Sequence, residues 1–280
     1  YKSRDDQTKT VYIGADGLTH GITGLSGAIT EIHEAHLDML NRFTGLDVAT
    51  NPATNIDGWS DLNTARSGWD IRWWTLEEIE LKKSLEKLQY EGCFIFRYKA
   101  DGSPQYIHIP DSPSVDHSLT KNDIKGFSVK HTPFSELLTK MELSYEKHPA
   151  DNRYITTKTA YADTARTNWA IQAKENIKQV KLDAYVSPAI TEYDNSTDVA
   201  SSSPNDDFFA YYYNIFGDIK IQVSGTIVNP IFYGMEVGDI VDFSSMHPTK
   251  AFGESWSGKN FMITGLTRSV GTLKFEAREI

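Results

Sequence analysis

His33 and His36 stand three apart with Glu31 and Glu34 beside them, and such a histidine–carboxylate run is the first place to look for a metal. The His-Glu-Ala-His order lacks the four-residue step that brings two histidines of one helix onto a single zinc ion. The expected reading is therefore one boundary and one solvated side chain on an amphipathic helix, with no metal held. The remaining six of the eight histidines are scattered singly. Carboxylates are plentiful enough to supply a glycosidase pair, but their separation is not written in the sequence, and in an acidic chain such groups ordinarily form a solvated face. Gly253-Glu254-Ser255-Trp256-Ser257-Gly258 has no Gly-x-Ser-x-Gly spacing and no strand-to-helix context, so it reads as a turn and not a nucleophile elbow. Cys93, the single cysteine, opens an apolar run and reads as an inert core thiol; alone it forms neither an intramolecular disulfide nor a multi-cysteine zinc site. No phosphate-cradling loop or dinucleotide fingerprint occurs. The expectation is a chain with no catalytic residues, no metal and no cofactor.

Aromatic side chains are the other chemistry on offer. Trp59, Trp69, Trp73 and Trp74 fall close together, as do Phe208, Phe209, Tyr211, Tyr212, Tyr213 and Phe216. Such clusters stack on sugars, and they also anchor cores and subunit interfaces, where large rigid side chains bury much area at little rotamer entropy. Both lie beside expected core elements, which favours packing; Trp73, Trp74, Phe208, Tyr211 and Tyr212 are the candidate interface residues. The sequon Asn195-Ser196-Thr197 matters only in a eukaryotic secretory setting.

The elements that must position these residues belong to a chain of 280 residues, long enough for about two domains. With 14 Tyr, 13 Phe and 6 Trp, it is too aromatic for a disordered chain. Lys and Arg number 28 against 38 Asp and Glu, a formal charge of −10 that would be repelled by a phosphate backbone in the absence of a basic patch. Sequence-specific nucleic-acid binding is not expected. No apolar run reaches the roughly 18–20 residues of a membrane span. The first ten residues are polar, unlike a signal peptide, and the chain opens on Tyr1, as a fragment or processed product would.

Val11 to Ile13 reads as a short strand before a Gly14–Gly17 turn. Ile29, Ile32, His36, Leu37, Met39 and Leu40 predict a helix over 27–44, with Ser26 as N-cap and Gly45 as stop. Residues 46–70 read as an ordered loop, and Ile71 to Trp74 as a short strand. Thr75-Leu76-Glu77-Glu78 fits a capping box opening a second helix with Leu81, Leu85 and Leu88 on one stripe, Glu78–Lys82 and Lys82–Glu86 pairs on its wet side, and Gly92 as a left-handed C-cap. Cys93–Tyr98 and Gln105–Ile109, flanking Asp101-Gly102, predict a hairpin. Beyond 123 the chain reads mostly as strands: 126–131, 141–146, 154–161, 180–186, 220–229, 239–243, 261–267 and 272–278. They are interrupted by a polar excursion near 195–207 and a short aromatic helix, Phe208 to Phe216, capped by Asp206 or Asp207 and ended by Gly217. The fold class expected is α+β: an N-terminal connector (1–24), an α/β domain with two helices and a hairpin (25–122), and a mostly antiparallel β-barrel-like domain (123–280).

Several stretches resemble the hub proteins of the tail tip and baseplate of tailed bacteriophages. Glu236-Val237-Gly238-Asp239-Ile240-Val241-Asp242-Phe243, a polar loop, Lys259-Asn260-Phe261-Met262-Ile263-Thr264-Gly265-Leu266 and the terminal strand resemble the ending of tail-hub barrels. The helix followed by Glu91-Gly92-Cys93-Phe94-Ile95-Phe96 resembles the α/β domain those hubs insert between two barrels. Pro133-Phe134-Ser135-Glu136 leading to Met141–Tyr145 resembles the opening of the second barrel. The resemblance covers about 25–280 and leaves no room for the family's first barrel, so the chain is a fragment of a longer hub or that barrel is supplied differently. It implies a structural, non-enzymatic virion subunit: a homotrimeric ring lining the DNA channel, with the tail tube or distal tail protein above and a tip, fibre or spike protein below. An acidic lumen would let DNA slide without sticking. A carbohydrate- or receptor-binding tail module is the alternative, and a tail-associated cell-wall hydrolase a third reading.

Overall fold

A computed structural model describes residues 18–20, 22, 25, 27–44, 46, 52–74, 79–149, 151–172, 175–186, 203–243 and 256–280. In chain order the helices are α1 (Ile32–Thr44), α2 (Pro52–Asn55), α3 (Trp59–Ala65), α4 (Leu81–Gly92), α5 (Asp163–Trp169) and α6 (Phe208–Phe216). The strands are β1 (Ile95–Tyr98), β2 (Pro104–Ile107), β3 (His117–Ser118), β4 (Ile124–His131), β5 (Lys140–Lys147), β6 (Tyr154–Tyr161), β7 (Ile177–Lys181), β8 (Ile221–Ile227), β9 (Ile240–Asp242), β10 (Phe261–Ser269) and β11 (Thr272–Glu279). The class is α+β with strands in the majority. Two units share the chain: residues 1–107, 142–160 and 179–198 form one, and residues 108–141, 161–178 and 199–280 the other.

In the first unit α1 packs on α4 and the β1–β2 hairpin. Its helix begins at Ile32 and not at 27, because residues 28–31 are committed to bridges: Thr19 to Ala28 and Glu31 to Asp70. Glu34 reaches back to the Thr30 and Glu31 amides (3.3 and 3.4 Å), satisfying two donors at the new start. Ser26, Gly45, Val11–Ile13 and the Thr75–Glu78 capping box lie outside the described residues, and α4 begins at Leu81 with Glu80 as N-cap. Lys82 and Glu86 pair at 3.7 Å, an exposed contact of little weight. The stretch 46–70, expected as loop, holds α2 and α3. Ile71 to Trp74 is no strand; only Ile71 makes a bridge, to Tyr185.

Gly92 has a different role from the one expected. The left-handed cap is Cys93 (φ 53°, ψ 48°), and Gly92 is the last helical residue. What Gly92 provides is room: a Cβ there would sit 2.4 Å from the Phe94 ring and 2.9 Å from Ile32 Cγ2. The hairpin follows as expected, its turn built by Asp101, whose Oδ1 accepts from the Ser103 amide at 2.8 Å, and by Gly102 at φ 87°.

The second unit is built on a six-stranded sheet in the order β3-β9-β10-β11-β8-β4. β10 and β11 form the terminal hairpin around Val270-Gly271, in register from Ser269–Thr272 to Phe261–Glu279 apart from a bulge between Ile263 and Gly265. Alternation places Leu273, Phe275 and Ala277 inside, with Ile221, Val223, Ile227, Phe243, Trp256 and Phe261 completing the core. β3 and β4 lie at opposite edges, yet Leu119 is tied to β9 (its amide to Asp242 O, 3.0 Å) and Thr120–Asp123 is one tight turn (3.0 Å). A flat six-stranded sheet would hold its edges about 24 Å apart, whereas this turn spans no more than about 15 Å, so the sheet must curl into a half-barrel. Asp123 secures the turn: Oδ2 accepts from the Thr120 amide (2.9 Å) and hydroxyl (2.6 Å), and Oδ1 from Asn229 Nδ2 (2.7 Å). The described pairings leave the sheet open between β3 and β4.

The aromatic helix α6 spans Phe208 to Phe216 as expected, with Asp207 as N-cap (Oδ1 accepting from the Ala210 amide at 2.7 Å). Gly217 follows at φ −75°, and here too the requirement is space, since a Cβ would lie 2.3 Å from the Tyr213 ring. Of the excursion near 195–207, residues 195–202 lie outside the described residues. The expected strand 180–186 is displaced to Ile177–Lys181, while α5 and β3 carry no periodic signal and were not anticipated.

Candidate functional site

α1 buries one face, comprising Ile32, His33, His36, Leu37 and Leu40. On it His36 Nδ1 lies 2.8 Å from the Tyr106 hydroxyl, among the rings of Phe94, Phe96 and Tyr106. His33 Nε2 lies 3.0 Å from Asn63 Oδ1, beside the Trp59 ring. Burial favours the neutral imidazole, lowering His33 to about 4 and His36 to about 3. Neither is solvated, as one had been expected to be, and each has its own partner. Among the described residues no three His, Cys, Asp or Glu side chains gather as a metal-binding group.

Two buried charged residues organise the same unit, and neither was legible in the sequence. Arg66, fully buried, donates from Nε to Gly92 O (2.8 Å) and from Nη2 to Cys93 O (2.9 Å), while its guanidinium covers the Trp69 ring at 4.4 Å. It thus satisfies carbonyls at the end of α4. Glu91 accepts from three successive amides, Asp183 (3.0 Å), Ala184 (2.8 Å) and Tyr185 (2.9 Å). Burial raises its pKa, and the three amide bonds only partly offset that. Asp183 in turn receives Lys87, Lys147 at 3.5 Å and the Tyr154 hydroxyl at 2.6 Å. Burial works to raise this carboxyl, but the two lysines and the phenol hold it below the usual range. The cluster fixes the chain after β7 onto α4. The one sequence signal was a Glu at position 91, three residues past Leu88 on the apolar stripe of the helix.

The tryptophans divide. Trp59 and Trp69 are core side chains. Trp73 and Trp74 are half-buried, Trp73 lining a groove described below and Trp74 lying beneath Lys147 Nζ at 6.0 Å. In the second unit Phe208 is fully buried and packs on Tyr212 with centroids 4.9 Å apart. Tyr211 and Tyr212 are half-buried; Lys178 Nζ sits 4.0 Å over the Tyr212 ring, a cation–π contact. Cys93 is buried in the turn after α4, not in a strand, its thiol 3.8 Å from Tyr90 O.

Sheet edges are templates for joining copies, and here several are closed internally. On β1 the Phe96 amide donates to Gln89 Oε1 (2.8 Å) and the Tyr98 carbonyl accepts from Arg97 Nε (3.3 Å). The far side of β2 is occupied by Asp57, which exchanges bonds with Pro104 O (3.2 Å) and the Tyr106 amide (2.9 Å). β4 is bulged between Lys125 and Ser128 around Gly126 at φ 67° and exposes Lys125 and Lys130. β3 has only two residues.

Beside its buried stripe, α1 borders a groove. Ala35, Met39 and Phe43, at four-residue steps, form one wall of this groove of about 1070 Å³ in the first unit. Leu81 and Ser84 of α4 and Ile79 before it form the other, with Trp73 between. Phe43 is 64% exposed, Leu18 68% and Ile79 47%.

No protein-family model matches the chain and no curated protein matches it. Among solved structures, a chain of the virion of a native gene transfer agent particle is similar over 89% of this chain and 47% of its own length, with a TM-score of 0.53 at 12% identity. Prophage tail protein gp18 from Listeria monocytogenes EGD-e aligns over 75% of this chain and 55% of its own (TM-score 0.41, 10% identity). The tail protein from Neisseria meningitidis MC58 aligns over 79% and 65% (TM-score 0.41, 9% identity). This chain thus spans about half the length of the virion chain whose fold it shares. The sequence resemblance holds at the level of fold.

Proposed function

We propose that this chain is a structural subunit of a phage-type tail, located in the virion at the tail tip or baseplate. The observation that carries the reading is the shared fold with the virion chain, which extends over 89% of this one. In this reading three copies form a ring between the tail tube and a distal tip, fibre or spike, the curled sheet of each copy being one segment of a barrel-built wall. The internally closed edges of β1 and β2 and the bulged, lysine-bearing edge of β4 support joining through side-chain faces and not through strand addition. Tyr211 and Tyr212, half-exposed on α6, and Trp73 and Trp74 are the side chains assigned to subunit contacts; Phe208 supports them from beneath. The −10 charge suits a wall past which DNA slides. A catalytic role is not part of the proposal. Burial of Trp59 and Trp69 removes half of the tryptophan cluster from any sugar platform.

Native mass spectrometry of the intact protein over a concentration series tests this. A trimer or a multiple of three is the expected result. A chain that stays monomeric at every concentration, alone and with tail-tube protein, would sink the ring.

A further inference from the structure

We propose that the outer face of the six-stranded sheet binds the phosphate backbone of duplex DNA, without sequence preference. The inference goes beyond the structural role and does not depend on the ring. At −10 the chain as a whole repels DNA at a distance, and this face is where contact is favourable.

Strand register assembles the face. Leu273, Phe275 and Ala277 of β11 and Ile221, Val223 and Ile227 of β8 point into the core, so the residues between them point out. Across the adjacent strands β4, β8 and β11, Lys130, Gln222 and Arg278 stand opposite one another in one row, and Lys125, Thr226 and Lys274 in another. Ser128, Ser224 and Glu276 form the row between them. Two strand spacings separate the ends of a row, about 10 Å, and four residues of β11 separate Lys274 from Arg278, about 13 Å. Four cations thus mark the corners of a polar patch whose interior holds a single carboxylate.

The three lysines are exposed, and among the described residues their side chains make no hydrogen bond or ion pair. Arg278 is half-buried, held by its Nη2 bond to Ile215 O (2.7 Å) and by the Phe216 ring at 4.9 Å. At that corner Glu136 acts on Arg278, and Lys220 and Lys259 are offset by Asp218 and Glu279. The excess positive charge therefore lies with Lys125, Lys130 and Lys274, against Glu276 alone.

Composition selects the ligand. The cores of protein–protein interfaces are enriched in aromatic residues and depleted in Lys, Ser and Glu, the reverse of this face. Lys, Arg, Ser, Thr and Gln are the side chains that hold phosphate oxygens on a duplex. The patch is nearly as wide as the major groove, about 12 Å, so lysines on β4 and β11 can meet phosphates on both rims. The sequence shows no basic run because these cations come from strands far apart in the chain.

The test titrates the full chain into a fluorescein-labelled duplex of about 20 base pairs, read by anisotropy from about 25 mM salt upward. Saturable binding is expected, equal for two unrelated sequences. It should weaken about 6- to 12-fold for each doubling of salt, as three or four phosphate contacts require. Lys125→Gln, Lys130→Gln and Lys274→Gln combined should weaken binding at least about tenfold and flatten the salt dependence. Glu276→Gln should tighten it about twofold or more, a gain that damage to the fold would not produce. All three lysines are exposed, so the combined variant folds, and circular dichroism verifies this. Absence of binding at the lowest salt, or binding that the combined variant leaves unchanged, overturns the proposal. So does polyglutamate displacing the duplex as well as unlabelled DNA of equal charge, which would make the face a dock for acidic protein. Self-association of the chain that the combined variant abolishes would overturn it too, by making the occupant a second copy.

Discussion

Asp123→Ala would test the account of how the six-stranded sheet curls. The Asp123 carboxylate accepts three hydrogen bonds, two from Thr120 and one from Asn229 just past the neighbouring strand β8, and the Asp123 carbonyl accepts from the Val228 amide at 2.8 Å. At about 1 kcal/mol net for each lost bond, somewhat more for a charged acceptor, the substitution should destabilise the second unit by about 2–4 kcal/mol. For a chain of this size that lowers the melting temperature by roughly 5–10 °C. The Thr120 and Asn229 bonds hold the Asp123 carboxyl below its usual range. Its contribution is therefore present above the unfolded value near 4 and lost as pH falls through the lower folded value. Asp123→Asn, which does not titrate, should trail the wild type near neutrality and converge with it on acidification. Urea and thermal unfolding measure the difference, and amide exchange at Val228 localises it to the β4–β8 seam. A loss under about 0.5 kcal/mol, or a wild-type–Asn gap that ignores pH, would mean that the turn is not what holds the two edges together.

Two further outcomes concern the first unit. His33 and His36 are buried neutral, with pKa values of about 4 and about 3 against an ordinary 6.5, so their folded environment is fully tolerated above about pH 6.5 and becomes destabilising as pH falls toward 4. Thermal melts should shift downward over that interval, and His33→Gln, which can keep the Asn63 contact, should flatten the dependence; identical slopes would refute the assignment. Gly92→Ala places a methyl against the Phe94 ring and Ile32, costing about 1–3 kcal/mol in a chemical-denaturation experiment, and adding Phe94→Leu should recover part of it. If Gly92 instead served as a left-handed cap, the second substitution would restore nothing.

The three-residue step of His33 and His36 does not match the four-residue step of a metalloprotease zinc pair, and the structure sends each ring to a different partner. Their burial was not legible in the sequence: a histidine in a helix looks amphipathic, and only Tyr106, 70 positions away, gives buried His36 its hydrogen-bond partner. Gly92 and Gly217 looked like caps because glycine after a helical stripe ordinarily is one; in both cases a nearby ring, not a positive φ, demands the missing Cβ.

Local patterns carried much of the secondary structure. Alternation set β6, β10 and β11, the side-chain cap of Asp207 set the start of α6, and an Asp-Gly turn set the β1–β2 hairpin. These are interactions between neighbours in the chain, and period and turn chemistry encode them directly. Tertiary structure alone decided the curl of the sheet, which follows from Leu119 bonding β9 near one edge while β4, one turn later, pairs with β8 at the other, and the anchoring of residues 183–185 by Glu91 across 92–94 positions. It alone decided how far along α1 the apolar arc is covered, because burial depends on where α4 and the hairpin reach: Ile32, Leu37 and Leu40 are buried, whereas Phe43, about 20° from Ile32 around the helix, is 64% exposed.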